Sequence, residues 1–177
     1  MKPANFCFYN PAGTCYNGGG SEYGHDEKNV IRKFREADTE RVAEIWLASN
    51  LSAHSFIPAE YWESRLAMVK ELFSQAEIYV WCETGRGVCG FIGLNGSFVE
   101  GLFVCEGMRS RGIGKHLLDH VKSIKETLCL KVYRKNARAV LFYLREGFRM
   151  QQESTDEETG EQDITMIWNR TPEAGQK

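Results

Sequence analysis

Apolar and polar positions along this chain alternate between two periods from residue 30 onward. Val30–Phe34 reads as a first strand. Asp38 stands ahead of Val42, Ile45, Trp46 and Ser49, which recur at helical spacing, so a helix is expected with Asp38 as its N-cap. Ser52–Ile57 is a loop, and Pro58 suits the first turn of a second helix running to about Ser74. Ile78–Glu83 and Val88–Leu94 read as strands of a hairpin, joined by the turn Thr84-Gly85-Arg86-Gly87. Ser97–Val104 is a fourth strand, Glu106–Arg111 a loop, and Gly112–Lys125 a helix with the stripe Ile113, Leu117, Leu118, Val121 and Ile124. Leu128–Tyr133 is a fifth strand, and Asn136–Glu146 a helix stopped by Gly147. Phe148–Glu153 and Ile164–Trp168 are the last strands, flanking the acidic loop Thr155–Gln162.

This order predicts an α/β (α+β) domain over residues 30–170: one twisted mixed sheet of six to seven strands with helices on both faces. Ser97–Tyr133 is a strand–helix–strand unit, expected to make a right-handed parallel crossover. Residues 1–29 carry Gly18-Gly19-Gly20, two prolines and no period, and read as a flexible extension. Docking of Phe6, Phe8, Tyr9 and Tyr16 on a surface is the other reading of that segment. Residues 171–177 are a short tail.

Composition narrows the function classes. At 177 residues there is enough chain for one domain with a real core. Lys plus Arg total 22 against 24 Asp plus Glu, a net charge of −2, which argues against a dedicated nucleic-acid binder. No apolar run reaches the roughly 18 residues of a membrane-spanning helix. Asn5, Asn10, Thr14 and Asn17 break any signal-peptide core, so a cytoplasmic protein is expected, away from membranes. Cys7, Cys15, Cys82, Cys89, Cys105 and Cys129 form no Cys-x-x-Cys pair and are expected to be free thiols, most of them buried. No metal cluster is visible in the sequence.

The chemistry concentrates in Leu102–Lys115. A strand enters a short basic loop that opens a helix, and such a loop offers successive backbone N–H groups and a helix N-terminus to an anion. Arg109, Arg111 and Lys115 add positive charge, and Gly112 and Gly114 allow close backbone approach, so the ligand class is a pyrophosphate or phosphate ester. A Walker A loop fails because Gly114-Lys115 is followed by His116 and Arg109 stands where the first glycine belongs. A dinucleotide fingerprint fails because Leu117 stands where its third glycine belongs.

What remains, Arg109-x-x-Gly112-x-Gly114, resembles the acetyl-CoA pyrophosphate loop of the GNAT N-acetyltransferases. Leu102-Phe103-Val104 resembles the strand before that loop, and Asn136-x-x-Ala139-x-x-Phe142-Tyr143-x-x-x-Gly147-Phe148 resembles the family's second signature. Ala53-His54-Ser55-Phe56 and Glu60-Tyr61 resemble a subgroup of small bacterial members. The resemblance implies acetyl-CoA as cosubstrate, no metal, and a strand pair that splays between Leu102–Val104 and the strand after Leu128, where the pantetheine arm would add like a strand. It implies a Val104 N–H on the thioester oxygen and a pyrophosphate cradle of the N–H groups of Arg109, Arg111, Gly112, Ile113, Gly114 and Lys115. Asn136 would contact the pantetheine arm and Tyr143 would be the general acid, with Phe142 and Leu144 packing elsewhere.

The expected function is therefore acetyl transfer to a primary amine by direct attack on the thioester. The alternative is a non-catalytic acyl-CoA-binding regulator on the same fold. For the general base, Glu100 is a candidate because strand alternation directs it to the same face as Leu102 and Val104. His54 is its rival, since imidazole titrates near neutral pH, and a water chain is the third option. His54, Phe56 and Glu100 are the expected acceptor contacts, while Tyr61 and Trp62 either line that pocket or pack. The acidic residues of Glu153–Asp163 suggest a cationic small-molecule or peptide amine; a hairpin acidic for solubility is the plainer reading. The chain is expected to be a monomer or homodimer.

Overall fold

The structure is a computed structural model that describes residues 29–170; apart from Asn29, the expected extension and tail lie outside the described residues. The elements are β1 (Val30–Lys33), α1 (Thr39–Ala53), α2 (Ala59–Glu63), α3 (Leu66–Phe73), β2 (Glu77–Glu83), β3 (Gly87–Asn95), β4 (Phe98–Val104), α4 (Ile113–Ile124), β5 (Thr127–Tyr133), α5 (Ala137–Arg145), β6 (Arg149–Thr155) and β7 (Gln162–Asn169). The strands form one seven-stranded sheet in the order β1-β2-β3-β4-β5-β7-β6. Every neighbouring pair is antiparallel except β4–β5, the parallel pair spanned by α4. This is the expected mixed sheet, at the upper end of the expected strand number.

The two faces result from strand alternation. On β3 and β4, Phe91 and Phe103 stack with ring centroids 4.4 Å apart and line a cavity with Trp46 of α1 and Phe73 of α3. Gly90, one step from Phe91, points to the other face, where a Cβ would meet Ile113 of α4 at 3.3 Å and the Phe103 carbonyl oxygen at 2.8 Å. Helices α1 and α3 therefore cover one face and α4 the other. Ile113, Leu117, Leu118 and Val121 are buried as expected, but Ile124, the last residue of α4, is 47% exposed.

Three local expectations are corrected. Asp38 stands at the N-cap position of α1 as expected, but its side chain makes no capping bond: its carboxylate instead accepts two hydrogen bonds from the Arg32 guanidinium, at 2.7 and 2.8 Å, and one from the Arg35 N–H at 2.8 Å. A bidentate charged partner on β1 outweighs a neutral cap. The helix expected over Pro58–Ser74 is broken into α2 and α3. The Tyr61 carbonyl, which would accept the Arg65 N–H, takes bonds from the Ser64 hydroxyl and the Arg65 guanidinium, and the Arg65 N–H turns to Trp62. Pro58 precedes α2 as its N-cap rather than lying in its first turn. Among the described residues, Cys82, Cys89, Cys105 and Cys129 are free thiols, with Cys89 and Cys105 buried.

The Arg32–Asp38 pair ties β1 to the entrance of α1, and the Arg32 guanidinium holds the Asp38 carboxyl below its ordinary value of 3.8. Such stabilisation is present above the ordinary carboxylate range and is lost as pH falls through the lowered folded value. Asp38→Asn is expected to lower unfolding free energy at pH 7 by on the order of 2 kcal/mol. Urea denaturation across pH should show that deficit shrinking below about pH 3 to 4; a pH-independent deficit would assign the effect to packing.

Candidate active site between the parted strands

The site begins with a parting of strands. β4 and β5 pair only at Phe98↔Cys129 and Val99↔Leu130. Beyond that point β4 stays paired with β3 as far as Gly90↔Val104, while β5 pairs with β7. The Cys105 N–H bonds the Cys89 carbonyl at 2.8 Å, so antiparallel alternation turns the backbone groups of Leu102 and Val104 away from β3, toward the gap. The Val104 carbonyl there accepts the Arg109 Nε–H at 3.0 Å. The resulting free edge is what an extended ligand needs to add as a strand.

The basic loop closes one end of this gap. Glu106–Met108 forms a 3-10 turn anchored by the buried Met108. Ser110 and Gly112 both adopt left-handed backbone, with φ of 59° and 83°, and Gly112 is the N-cap of α4. The first helical bond runs from the His116 N–H to the Gly112 carbonyl, so the N–H groups of Ile113, Gly114 and Lys115 lead the helix and point out of its end. One expected cradle member drops out: the Arg109 N–H bonds the Glu106 carbonyl at 3.2 Å. Arg109 acts as a strap holding the loop to β4 through its side chain. Lys115 is engaged on the surface with Asp119 at 2.6 Å and Glu146 at 3.7 Å. Arg111 is exposed.

A cavity of about 470 Å³ lies against this loop. Leu102 and Val104 of β4, Gly112 and Gly114 of the loop, and Arg138 and Phe142 of α5 line it, with Ser49 of α1 at its back. Phe142 is thus a wall residue rather than packing elsewhere: a Cβ on Gly114 would lie 3.7 Å from its ring. The sequence reading took α5 from its Asn136–Tyr143 face and missed Arg138, Leu141, Phe142 and Arg145. These sit at i, i+3, i+4 and i+7, a helical stripe that reading the other face would have revealed. Asn136 and Tyr143 share the neighbouring buried face, at 5% and 1% exposure, and Tyr143 packs on Phe142 and Phe148. Leu144 is exposed.

Glu100 is not on the face of Leu102 and Val104. Gly93 pairs with Gly101 but Leu94 pairs with Val99, so Glu100 is the extra residue of a β-bulge and alternation breaks there. Its side chain lines a second cavity, of about 340 Å³, on the α1 and α3 face with Trp46, Phe73, Phe91 and Phe103. Burial in these apolar walls raises its carboxyl to about 7, against a smaller opposing hydrogen bond from Asn95. The two cavities therefore share β4, and the bulge lies where β4 leaves β5.

The remaining candidates lie elsewhere. His54 is completely buried, caged by Phe56, Trp62 and Tyr133, so it lines neither cavity and offers no base to an acceptor. Phe56 is half-buried, packs on Tyr133 and has the Lys135 ammonium 5.2 Å above its ring. Trp62 is core, and the Tyr61 hydroxyl donates to Glu158 at 2.9 Å. The acidic hairpin is largely matched within the chain: Glu153 pairs with Arg134, Glu158 with Arg65, Glu161 with Lys135 and Asp163 with Lys131. Asp156 accepts the Glu158 and Thr159 N–H groups to build the turn. Among the described residues, no three or more His, Cys, Asp or Glu side chains are grouped to hold a metal, and no helix is long and apolar enough to cross a membrane.

Comparison with known proteins agrees with this geometry. The sequence profile described as "Acetyltransferase (GNAT) domain" matches residues 74–150, which run from the end of α3 into β6. The peptidyl-lysine N-acetyltransferase YiaC of Escherichia coli is 33% identical over 141 residues, 78% of this chain and 96% of that protein. The solution structure of apo YjaB from Escherichia coli superposes with a TM-score of 0.71 at 26% identity, over 80% of this chain and 97% of that one. The structure of yncA from Salmonella typhimurium with its cofactor acetyl-CoA shares the fold, with a TM-score of 0.61 at 17% identity over 85% of this chain and 99% of that one. Parted strands, a glycine-opened helix after the freed edge and this relatedness lead to one assignment: the chain belongs to the GNAT acetyltransferase family.

Proposed function

We propose that this protein transfers the acetyl group of acetyl-CoA to the side-chain amine of a lysine in a peptide or protein. The observation that carries the proposal is the placement of Glu100 at the bulge of β4, beside the edge that β5 leaves unpaired. The residues fit the cosubstrate: a free strand edge at Leu102 and Val104 suits an amide-bearing arm, and the N–H groups of Gly112, Ile113, Gly114 and Lys115 suit a pyrophosphate. Arg111 and Arg138 add positive charge at that end. Acetyl-CoA, when bound, supplies an acetyl group activated as a thioester.

A lysine acceptor suits the Glu100 cavity. Its apolar walls match a four-carbon stem, and the single carboxyl on β4 matches an ammonium. The amine must lose a proton before it can attack. A carboxyl held near 7 accepts that proton at neutral pH far better than one near 4.5. Burial among Trp46, Phe73 and Phe103 also favours the neutral amine over the ammonium. In this reading the Val104 N–H polarises the acetyl carbonyl, as an oxyanion donor, and the Tyr143 hydroxyl returns a proton to the departing sulfur. The Tyr143 role rests on the family resemblance together with the burial of its ring on the α5 face shared with Asn136. The peptidyl-lysine acceptor rests on the names of YiaC and YjaB.

Calorimetry should show saturable acetyl-CoA binding, and a lysine peptide should drive CoA release. Binding without release on any amine would indicate an acyl-CoA-binding regulator. In wild type, kcat/KM should rise with pH through about 7 as the Glu100 carboxyl ionises. Glu100→Gln should remove that rise and lower kcat by about 100-fold while acetyl-CoA affinity holds. A profile unchanged in Glu100→Gln would exclude Glu100 as the base.

Tyr143→Phe keeps the ring among Phe142 and Phe148, so the fold should hold. Stopped-flow single turnovers should then be slower by about 10- to 100-fold with acetyl-CoA affinity within about twofold. Unchanged single turnovers would remove Tyr143 from the mechanism.

A further inference from the structure

The buried His54 has no part in the acetyl-transfer chemistry, yet its position is expensive for an imidazole. It sits at the end of α1 with its N–H on the Asn50 carbonyl at 3.0 Å, and its own carbonyl accepts the Ile57 N–H at 2.8 Å. The ring lies 5.3 Å from Trp62 at an interplanar angle of 30°, with Phe56 and Tyr133 edge-on at 5.5 and 5.2 Å. A phenylalanine would pack there without a polar atom to satisfy. The imidazole adds a polar contact to that packing: its Nε2 lies 3.4 Å from Nδ2 of Asn136.

That contact determines the ring's proton. Asn136 is the N-cap of α5, and its Oδ1 accepts the Ala139 N–H at 3.2 Å. The cap fixes which end of the amide is oxygen, so the end facing His54 is the NH₂, which can only donate. Nε2 must therefore present its lone pair, and the proton of a neutral ring sits on Nδ1. The contact joins two walls of one cavity. Ser49, five residues before His54 on α1, stands at the back of the loop-side cavity, and Arg138 and Phe142 of α5 line it. Tyr143 rides on the same helix.

We propose that His54 is a positioning residue: as a neutral Nδ1–H imidazole it holds the Asn136 amide in its capping orientation, and so fixes α5 against α1 across the acetyl-CoA cavity. The kinetic part of this proposal rests on the transferase reading; the hydrogen bond itself does not.

Two substitutions separate positioning from packing. His54→Phe keeps the aromatic cage and removes the acceptor. His54→Gln gives up aromatic packing but places an amide oxygen near the position of Nε2. Positioning predicts that His54→Phe keeps its melting temperature yet loses about 10- to 100-fold in kcat, with weaker acetyl-CoA binding. It predicts that His54→Gln melts lower but retains kcat within about threefold of wild type. A packing role predicts the reverse order of activities, and that order, or equal activities, would overturn the proposal. Nitrogen-15 NMR of the wild-type imidazole reads the tie without any variant: a protonated Nδ1 and bare Nε2 at pH 7 support it, and a proton on Nε2 overturns it. Should wild type prove unable to bind acetyl-CoA, the transferase reading falls, while the NMR result still decides the His54–Asn136 bond.

Discussion

Phe98 pairs with Cys129 and Val99 with Leu130, and at this short parallel ladder the two halves of the sheet meet; the site is built where they part beyond it. A strand in the middle of a sheet normally satisfies its backbone groups on both sides. From the bulge at Glu100 onward, β4 has a strand partner only in β3, and on its other side the Val104 carbonyl takes the Arg109 guanidinium instead. The sheet stays coherent because β2, β3 and β4 hold one half through antiparallel ladders and β5, β7 and β6 hold the other. The unpaired edge is thus a property of the architecture, sustained by the strong pairing around it.

Each neighbouring element supports that gap. The loop after β4 is strapped back by the Arg109 guanidinium on the Val104 carbonyl, and the left-handed residues Ser110 and Gly112 turn it into α4. Gly90 is needed behind the gap, because any Cβ there would run into the Phe103 carbonyl oxygen at 2.8 Å. The bulge moves Glu100 out of register with Leu102 and Val104, into apolar walls where its carboxyl is raised to about 7. One irregularity thereby accounts for both the position of the carboxyl and its proton affinity.

The order of the elements, the basic loop, the glycine that opens α4 and the stop of α5 were all legible in the sequence, whereas the Asn136 cap of α5 emerged only from the structure. Each legible feature is written in local periodicity or in the backbone needs of single residues, such as the positive φ of Gly112 and Gly147. The errors share a cause. The Asp38 carboxylate turned from capping α1 to Arg32, the helix after Pro58 broke where the Ser64 and Arg65 side chains took the Tyr61 carbonyl, and Ile124 stands exposed at the last position of α4. In every case a partner or a boundary supplied by the surrounding structure outweighed the local preference.

By itself, then, the sequence determined the fold class, the basic glycine-bearing loop that opens α4 and the family resemblance, because these depend on interactions within a few residues of each other. Tertiary structure alone decided how far β4 and β5 stay together and which face Glu100 takes. It also decided that His54 is sealed among rings beside Asn136, and that most of the acidic hairpin is matched by Arg65, Lys131, Arg134 and Lys135. The physical reason is range: a strand's register and a side chain's burial are set by elements distant along the chain, and one extra residue in a ladder reverses a face that alternation had assigned.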